Sequence, residues 1–183
     1  MRIISGSAKG MNLKSPHGKK IRPTSEKVKE AFFNIVQDRI KGSWFLDLFS
    51  GSGGIGLEAL SRGAEKCIFV DKDRNSIQLI RENIQLTGMQ EKARVCQGDA
   101  GRALLGFSKE EICFDIVYID PPYKYTKITD ILFLLHHGRL LVGGGIIGVE
   151  RPSRNGTWDY SPFSLQQKKN YGDTELYLLV SRE

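Results

Sequence analysis

The sequence predicts an α/β fold built on a mostly parallel sheet with helices on both faces. From Trp44 onward, short apolar stretches typical of strands alternate with longer stretches whose apolar residues recur at helical spacing. The strand-like stretches are apolar throughout, as expected where both faces of a parallel sheet are covered. The chain has 183 residues, enough for one domain with a full hydrophobic core.

The N-terminal part is predicted as a small hairpin or irregular arm followed by a helix. Residues 1–23 contain short apolar pieces separated by glycine, lysine and proline. The helix is expected to begin near Pro23, because Thr24 or Ser25 can cap it and Glu26 adds negative charge to its first turn. Gly42 is expected to end it, and its apolar face comprises Val28, Ala31, Phe32, Ile35 and Val36.

The remaining elements follow in order along the chain. Strands are predicted at residues 44–49, 67–70, 93–96, 114–119 and 146–149, and helices at residues 54–62, 75–87, 100–105 and 128–136. Residues 165–171 and 176–180 flank Gly172-Asp173 and predict a closing hairpin. We therefore expect residues 42–183 to form the α/β domain and residues 1–41 a basic extension and helix, within one compact unit.

The positive charge of the chain is concentrated at its N-terminus. The formal net charge is +6, and residues 1–41 hold ten basic but three acidic side chains. A basic arm on a nearly neutral body favours an anionic polymer such as nucleic acid as the partner, although a solvated arm without a partner would look the same.

Other functional classes receive no support from the composition. The three cysteines are far apart and form no CxxC pair, so we expect neither a metal site nor a disulfide framework. No apolar stretch is long enough to span a membrane, and the first residues lack the apolar core of a signal peptide. We therefore expect a cytoplasmic protein that does not interact with membranes.

A glycine-rich loop and a series of acids indicate a site for an adenosine-containing cofactor. Gly51, Gly53 and Gly56 form a GxGxxG pattern between a predicted strand and helix, where the backbone can approach a ligand closely. Asp71 ends the next strand, 24 residues after Asp47, where an acid can accept hydrogen bonds from ribose hydroxyls. Asp99 and Ala100 follow the third strand and could contact adenine, although Asp99 could equally be a helix cap.

The loop is compatible with two cofactors. NAD would place its pyrophosphate on the loop and the helix N-terminus. S-adenosylmethionine has an amino acid end instead, which suits Asp47 and the Phe49-Ser50 pair before the glycines. The candidate cofactor contacts are Asp47, Phe49, Ser50, Gly51, Gly53, Asp71, Lys72, Asp99, Ala100 and Asp120.

The stretch Asp120-Pro121-Pro122-Tyr123 supports the second cofactor. It follows the predicted strand at residues 114–119, and open α/β sheets bind their ligands at such strand ends. Asp120 and the carbonyl of Pro121 can each accept one hydrogen of a planar exocyclic amine, which favours a pyramidal nitrogen with a directed lone pair. The prolines make the turn rigid, and Tyr123 can stack on a base, a contact worth about 1–3 kcal/mol.

The motifs RIISGSAKGMNL, RPTSEKVKEAFFNI, DLFSGSGGIGLEALSRGA, DPPY and YGDTELYLL together resemble the RsmD family of 16S ribosomal RNA (guanine-N2)-methyltransferases. The resemblance implies a Rossmann-like class I fold with seven strands, the last one antiparallel, and S-adenosylmethionine as the cofactor. It also implies a monomer acting on a guanine of small-subunit ribosomal RNA within an assembled or partly assembled particle. The RNA-binding candidates are Arg2, Lys9, Lys14, Lys19, Lys20, Arg22 and Thr24.

Three alternatives stay open from the sequence. The DPPY stretch serves an adenine-N6 amine of RNA or DNA as well as a guanine-N2 amine. A nicotinamide-dependent oxidoreductase would need a hydride-transfer site, and the sequence offers no obvious catalytic histidine or tyrosine–lysine pair. A non-enzymatic RNA-binding module would keep the basic arm alone. Small departures from the family pattern, such as Ser50 in place of alanine and the extra Gly54, remove no functional group.

Overall fold

The computed structural model describes residues 1–15 and 23–181, and in this part of the chain a seven-stranded sheet is covered by helices on both faces. The strands are β1 (Trp44–Leu48), β2 (Lys66–Asp71), β3 (Ala93–Gln97), β4 (Phe114–Ile119), β5 (Leu141–Pro152), β6 (Ser164–Tyr171) and β7 (Thr174–Val180). The helices are α1 (Pro23–Ile35), α2 (Gln37–Ile40), α3 (Gly54–Ser61), α4 (Arg74–Thr87), α5 (Ala100–Lys109) and α6 (Ile128–His137).

The order of the strands across the sheet is β3-β2-β1-β4-β5-β7-β6. β1 to β5 are parallel, whereas β7 is antiparallel to both of its neighbours. The predicted α/β class, the seven strands and the antiparallel last strand are therefore confirmed. Because the strand order reverses between β1 and β4, the crevice outside the carboxyl ends of these strands is the expected ligand site.

Several boundaries differ from the sequence predictions. The predicted first helix breaks at Val36, whose φ of −97° and ψ of 9° separate α1 from α2. α5 extends to Lys109, well beyond the predicted end at residue 105. β5 has 12 residues instead of the predicted four, because an irregular register near Gly143–Gly145 lets it start at Leu141 while it also continues to Pro152.

Two apolar layers enclose the sheet. One layer joins α1, α3, α4 and the N-terminal arm to one face, with Phe32 and Phe45 fully buried in it. The other joins α5 and α6 to the opposite face. Among the described helices, none is long and apolar enough to cross a membrane.

The N-terminal arm packs against the sheet domain through buried contacts. Arg2 and Asn12 form an antiparallel bridge, and Ile3 and Leu13 lie in the apolar layer beside α1. The arm is also held by Glu58, a fully buried residue of α3 whose carboxyl oxygens accept the N–H groups of Ile4 and Ser5 at 2.7 and 3.0 Å. The ammonium group of Lys29 lies 3.3 Å from the same carboxylate, so this buried charge is compensated.

A buried amide connects the arm to the loop between β1 and α3. The side chain of Asn83, in α4, accepts a hydrogen bond from the backbone N–H of Lys14 at 2.8 Å and donates one to the backbone carbonyl oxygen of Lys14 at 3.0 Å. The same amide nitrogen donates to the carbonyl oxygen of Ser52 at 2.9 Å. Asn83 therefore holds an arm residue and a residue of the glycine loop in one hydrogen-bonding unit.

Candidate active site

Four aspartates predicted as site residues lie at one edge of the sheet. Asp47 is the fourth residue of β1, Asp71 ends β2, Asp99 follows β3 and Asp120 follows β4. These strands are parallel neighbours, so their carboxyl ends meet at the same edge. The structure thus brings together residues that are as much as 73 positions apart in the sequence.

Asp47 is buried at the base of this edge, with 2% of its surface exposed. Its carboxyl group accepts the N–H of Gly56 at 3.0 Å. Burial raises the pKa of Asp47 to about 8, and the negative charges of Asp120 and Asp71 act in the same direction, although the Gly56 N–H opposes them. A ligand ammonium group placed here would relieve the cost of ionising this carboxyl group.

The glycine loop turns sharply between β1 and α3. Phe49, Gly51 and Gly53 have φ values of 63°, 56° and 78°, in the left-handed region that favours glycine. Ser50 connects the loop to β2, because its hydroxyl group donates to the carbonyl oxygen of Asp47 at 2.6 Å and accepts the N–H of Val70 at 3.0 Å. Ser50, the departure from the family pattern, therefore adds hydrogen bonds between the loop and the sheet.

Asp71 supports the loop as well as facing the site. Its two carboxyl oxygens accept the N–H groups of Gly51 at 2.8 Å and Asp73 at 2.9 Å. Each oxygen retains a lone pair that a ribose hydroxyl could use. The neighbouring Lys72 is exposed.

Asp99 caps α5, which was the alternative interpretation of this residue. Its Oδ1 atom accepts the N–H of Gly101 at 3.0 Å and that of Arg102 at 3.4 Å. The residue is exposed, and Ala100 beside it is buried. Capping occupies Oδ1, so a contact between Asp99 and adenine stays a prediction.

Two aromatic residues near Asp99 form one side of the candidate site, and the sequence predicted only one of them. The ring of Phe49 packs edge-on against Tyr125, with 4.9 Å between ring centres. Burial and the charge of Asp99 raise the pKa of Tyr125, which places its phenol group near that carboxylate. Tyr125 was not predicted, because an aromatic residue two positions after DPPY carries no separate signal.

The DPPY stretch forms an exposed turn at the end of β4. The N–H of Asp120 donates to the carbonyl oxygen of Leu48 at 3.4 Å, and the N–H of Tyr125 donates to that of Pro122 at 2.7 Å. Tyr123 is 42% exposed and lines a pocket of about 340 Å³. The other residues that line this pocket are Pro152, Ser153, Arg154 and Asp173.

A second acid and a tyrosine, absent from the sequence predictions, lie close to Asp120. The hydroxyl group of Tyr118, in β4, donates to Oε1 of Glu150, in β5. Burial and the charge of Asp120 raise the pKa of Glu150. Glu150 directly follows a strand-like apolar stretch, as Asp71 does, and this position in the sequence could have indicated Glu150 as a candidate site residue.

The RNA-binding candidates are only partly covered by the structure. Arg2 and Lys9 are exposed on the arm. Lys14 is also exposed, but its ammonium group lies 3.0 Å from the carboxylate of Glu82. Lys19, Lys20 and Arg22, and the side chain of Thr24, lie outside the described residues.

The fold, the glycine loop and the acids at the strand ends define a Rossmann-like, class I S-adenosylmethionine-dependent methyltransferase. An RNA methyltransferase from Salinibacter ruber in complex with S-adenosyl-L-homocysteine shares this fold, with a TM-score of 0.66 over 88% of this chain and 95% of that one. At 18% identity, this likeness concerns the fold alone. More specifically, the chain belongs to the family described as conserved hypothetical protein 95, which matches residues 1–180.

Individual relatives agree with this assignment and confirm the resemblance to the RsmD family. YlbH of Bacillus subtilis strain 168, provisionally named an rRNA methyltransferase, is 45% identical over 150 residues, which cover 82% of each chain. Ribosomal RNA small subunit methyltransferase D of Escherichia coli K12 is 33% identical over 184 residues, or 100% of this chain and 90% of that one. The structure of yhhF from E. coli, provisionally named a methyltransferase, superposes with a TM-score of 0.89 at 31% identity over 100% of this chain and 98% of that one.

Proposed function

We propose that this protein transfers a methyl group from S-adenosylmethionine to the exocyclic N2 amine of a guanine in small-subunit ribosomal RNA. The observation that carries the proposal is the position of the DPPY stretch. Asp120 follows β4 at the same sheet edge as the buried Asp47 and the glycine loop, so an amine acceptor and a cofactor site adjoin. The names of the relatives supply the ribosomal RNA substrate.

The residues at the strand ends fit the cofactor's functional groups. Asp47 is buried and its pKa is about 8, so it suits a ligand ammonium group, and Asp71 suits the ribose hydroxyls. Phe49, Tyr125, Asp99 and Ala100 would enclose the adenine. When bound, S-adenosylmethionine supplies an electrophilic methyl group on a positively charged sulfur atom.

The DPPY residues act on the target amine. The carboxylate of Asp120 and the carbonyl oxygen of Pro121 hold the two N2 hydrogens, so the nitrogen lone pair points toward the incoming carbon. As the N–C bond forms, the methyl–sulfur bond would break and leave S-adenosylhomocysteine. The amine becomes positively charged and acidic, and its proton can pass to Asp120 or to water. Asp120 therefore needs no strong basicity, and most of the rate enhancement comes from alignment. Tyr123 stacks on the target base. If that base lies in an RNA helix, it must be flipped out of the helix to reach this edge of the sheet.

The basic arm is proposed to hold the RNA. Arg2 and Lys9 are exposed and can contact phosphates, and the exposed ion pair between Lys14 and Glu82 is weak enough for Lys14 to exchange it for a phosphate. A small enzyme offers little surface for sequence recognition, so an assembled or partly assembled small subunit is the proposed substrate. We propose a cytoplasmic monomer as the active form.

The test is methyl transfer from labelled S-adenosylmethionine to undermethylated small ribosomal subunits, followed by identification of the modified nucleoside. N2-methylguanosine is the expected product. N6-methyladenosine would retain the amine chemistry but overturn the guanine assignment. Absence of label in subunits, naked ribosomal RNA and DNA would overturn the enzymatic proposal altogether.

The assigned role of Asp120 is tested in the same assay. We expect Asp120→Ala to abolish transfer while S-adenosylhomocysteine still binds in calorimetry, because the contact essential for transfer is the one proposed between Asp120 and the target amine. Asp38→Ala, which removes an exposed carboxylate from α2, is the matched control and should be fully active. An active Asp120→Ala variant would remove the basis of the mechanism.

A further inference from the structure

Glu150 lies beside the DPPY stretch on the same face of the sheet. β4 and β5 are parallel, and Ile119 pairs with Val149, so Asp120, which directly follows β4, lies beside Glu150, which continues in β5. Adjacent strands lie about 4.8 Å apart. Side chains alternate along β5, and a Cβ atom on Gly148 would meet the rings of Phe32 and Tyr118, so Glu150 takes this same face.

The carboxyl group of Glu150 is held in place at one oxygen. The hydroxyl group of Tyr118 donates to Oε1, and the Tyr118 ring is itself fixed by Phe32, with 4.6 Å between ring centres. Within residues 1–15 and 23–181, no hydrogen-bond donor to Oε2 is found. Burial and the neighbouring charge of Asp120 raise the pKa of Glu150, so a hydrogen-bond donor that approaches Oε2 would stabilise its ionised form.

The pocket lined by Tyr123 lies next along β5 from Glu150. Pro152 lines the pocket and lies two residues after Glu150, on the same side of β5. The volume of about 340 Å³ falls within the range of small-ligand sites. Arg154, exposed at the same pocket, provides a positive charge for the phosphate of an inserted nucleotide.

We propose that Glu150 determines base specificity by accepting the N1–H of the target guanine while Asp120 and Pro121 hold the hydrogens on N2. This inference rests on the proposed guanine-N2 activity. Guanine presents N1–H and N2–H donors side by side, which two adjacent acceptors match. Adenine presents an acceptor at N1 next to its amine, so it offers Glu150 no hydrogen that would stabilise the ionised carboxylate. Tyr118 is a positioning residue, because it acts by orienting Glu150.

The test uses a base that keeps the reacting amine and loses the N1 hydrogen. Small subunits are reconstituted with 2,6-diaminopurine at the nucleotide methylated by the wild-type protein, and kcat/KM is compared with that for natural subunits. We expect the wild type to favour guanine by roughly 10- to 100-fold, as for the loss of a hydrogen bond to a charged group. Glu150→Gln should reduce this preference to nearly one, because its amide can accept from guanine or donate to the analogue.

Controls separate specificity from folding. Glu65→Gln removes an exposed carboxylate just before β2, at the opposite edge of the sheet, and should keep the wild-type preference. Calorimetry with S-adenosylhomocysteine should show unchanged affinity for Glu150→Gln. If that variant does not fold, Tyr118→Phe takes its place. This variant keeps the carboxyl group of Glu150 but removes the hydrogen bond that orients it, so it should give an intermediate preference for guanine.

The outcomes distinguish the inference from the function on which it rests. An unchanged guanine preference in Glu150→Gln, or in Tyr118→Phe where that variant replaces it, overturns the role of Glu150 and leaves the methyltransferase activity intact. Failure of the wild type to methylate guanine N2 in natural subunits overturns the proposed function and this inference together. That second result is obtained before any variant is used.

Discussion

The buried carboxyl group of Asp47 makes the stability of the unliganded protein depend on pH. Its pKa is about 8 in the folded protein and near 3.8 in an unperturbed chain. Between these values the folded protein keeps a proton that the unfolded chain has lost, so this group's contribution to stability is lost as the pH rises from about 4 to 8. We expect Asp47→Asn, which cannot ionise but can still accept the Gly56 N–H, to remove this loss.

The measurement is urea denaturation of both proteins at several pH values between 5 and 8. The stability of Asp47→Asn relative to the wild type should increase with pH. Saturation with S-adenosylhomocysteine should favour the wild type, because the ligand's ammonium group stabilises the ionised carboxylate. A difference in stability that does not change with pH would contradict the raised pKa of Asp47.

The sequence predicts some of the candidate site residues better than others. Asp47, Asp71 and Asp120 could be found because each lies at or near the end of an apolar stretch, and strand ends of a parallel sheet converge. Glu150 also follows such a stretch, but its proximity to Asp120 depends on the register of β4 against β5, which the sequence does not reveal. Asp99 was found from the sequence, but its role was not, because an acid directly before a helix can serve equally well as a helix cap or as a ligand contact.

Among the elements, β5 depends on a glycine at its crossing with α1. At Gly148, a Cβ atom would lie 2.6 Å from the Phe32 ring and 2.9 Å from the Tyr118 ring. We expect Gly148→Ala to destabilise the protein by about 1–3 kcal/mol, as for overpacking in a closely packed core. Because Tyr118 orients Glu150, a shift of this ring should also lower methyl transfer.

Gly143→Ala provides the matched control in the same strand. A Cβ atom there would have no neighbour within 4 Å. Urea denaturation followed by tryptophan fluorescence should therefore show little change for Gly143→Ala and a clear loss for Gly148→Ala. Equal stability of the two variants would mean that Phe32 and Tyr118 adjust without cost.

The same strand shows why element boundaries were harder to predict than element order. Three consecutive glycines, Gly143–Gly145, interrupt the apolar stretch, so only residues 146–149 had the pattern of a strand. Pairing with β4 and β7 overrides this weak local preference and extends β5 in both directions. Likewise, no glycine or proline lies at Val36 to indicate from the sequence that α1 ends there.

For the whole molecule, the distribution of charge leads to a prediction about RNA binding. Arg2 and Lys9 are exposed on an arm whose apolar residues, such as Ile3, are buried in the core. Deleting the arm would therefore disturb folding as well as binding, whereas substituting its charges tests binding alone. We expect Arg2→Gln with Lys9→Gln to weaken RNA binding and to reduce the slope of log affinity against log salt by about one per lost phosphate contact.

The comparison is Lys92→Gln with Lys109→Gln, which removes the same charge from exposed positions at the opposite edge of the sheet. Affinity for a small-subunit RNA fragment should be measured at several salt concentrations for both double variants. The control should keep the wild-type slope. A similar decrease in both variants would show that net charge matters and that the arm has no special role.

If the arm binds RNA as proposed, the amide of Asn83 links RNA binding to cofactor binding. It holds the arm at Lys14 and the glycine loop at Ser52 through hydrogen bonds to a single side chain. A ligand that immobilises one partner therefore reduces the conformational freedom left to the other, and such cooperativity is reciprocal by thermodynamic necessity. RNA held by the arm would then strengthen cofactor binding by the same factor with which the cofactor strengthens RNA binding. Saturation with cofactor would consequently be greatest where the target guanine is already in place.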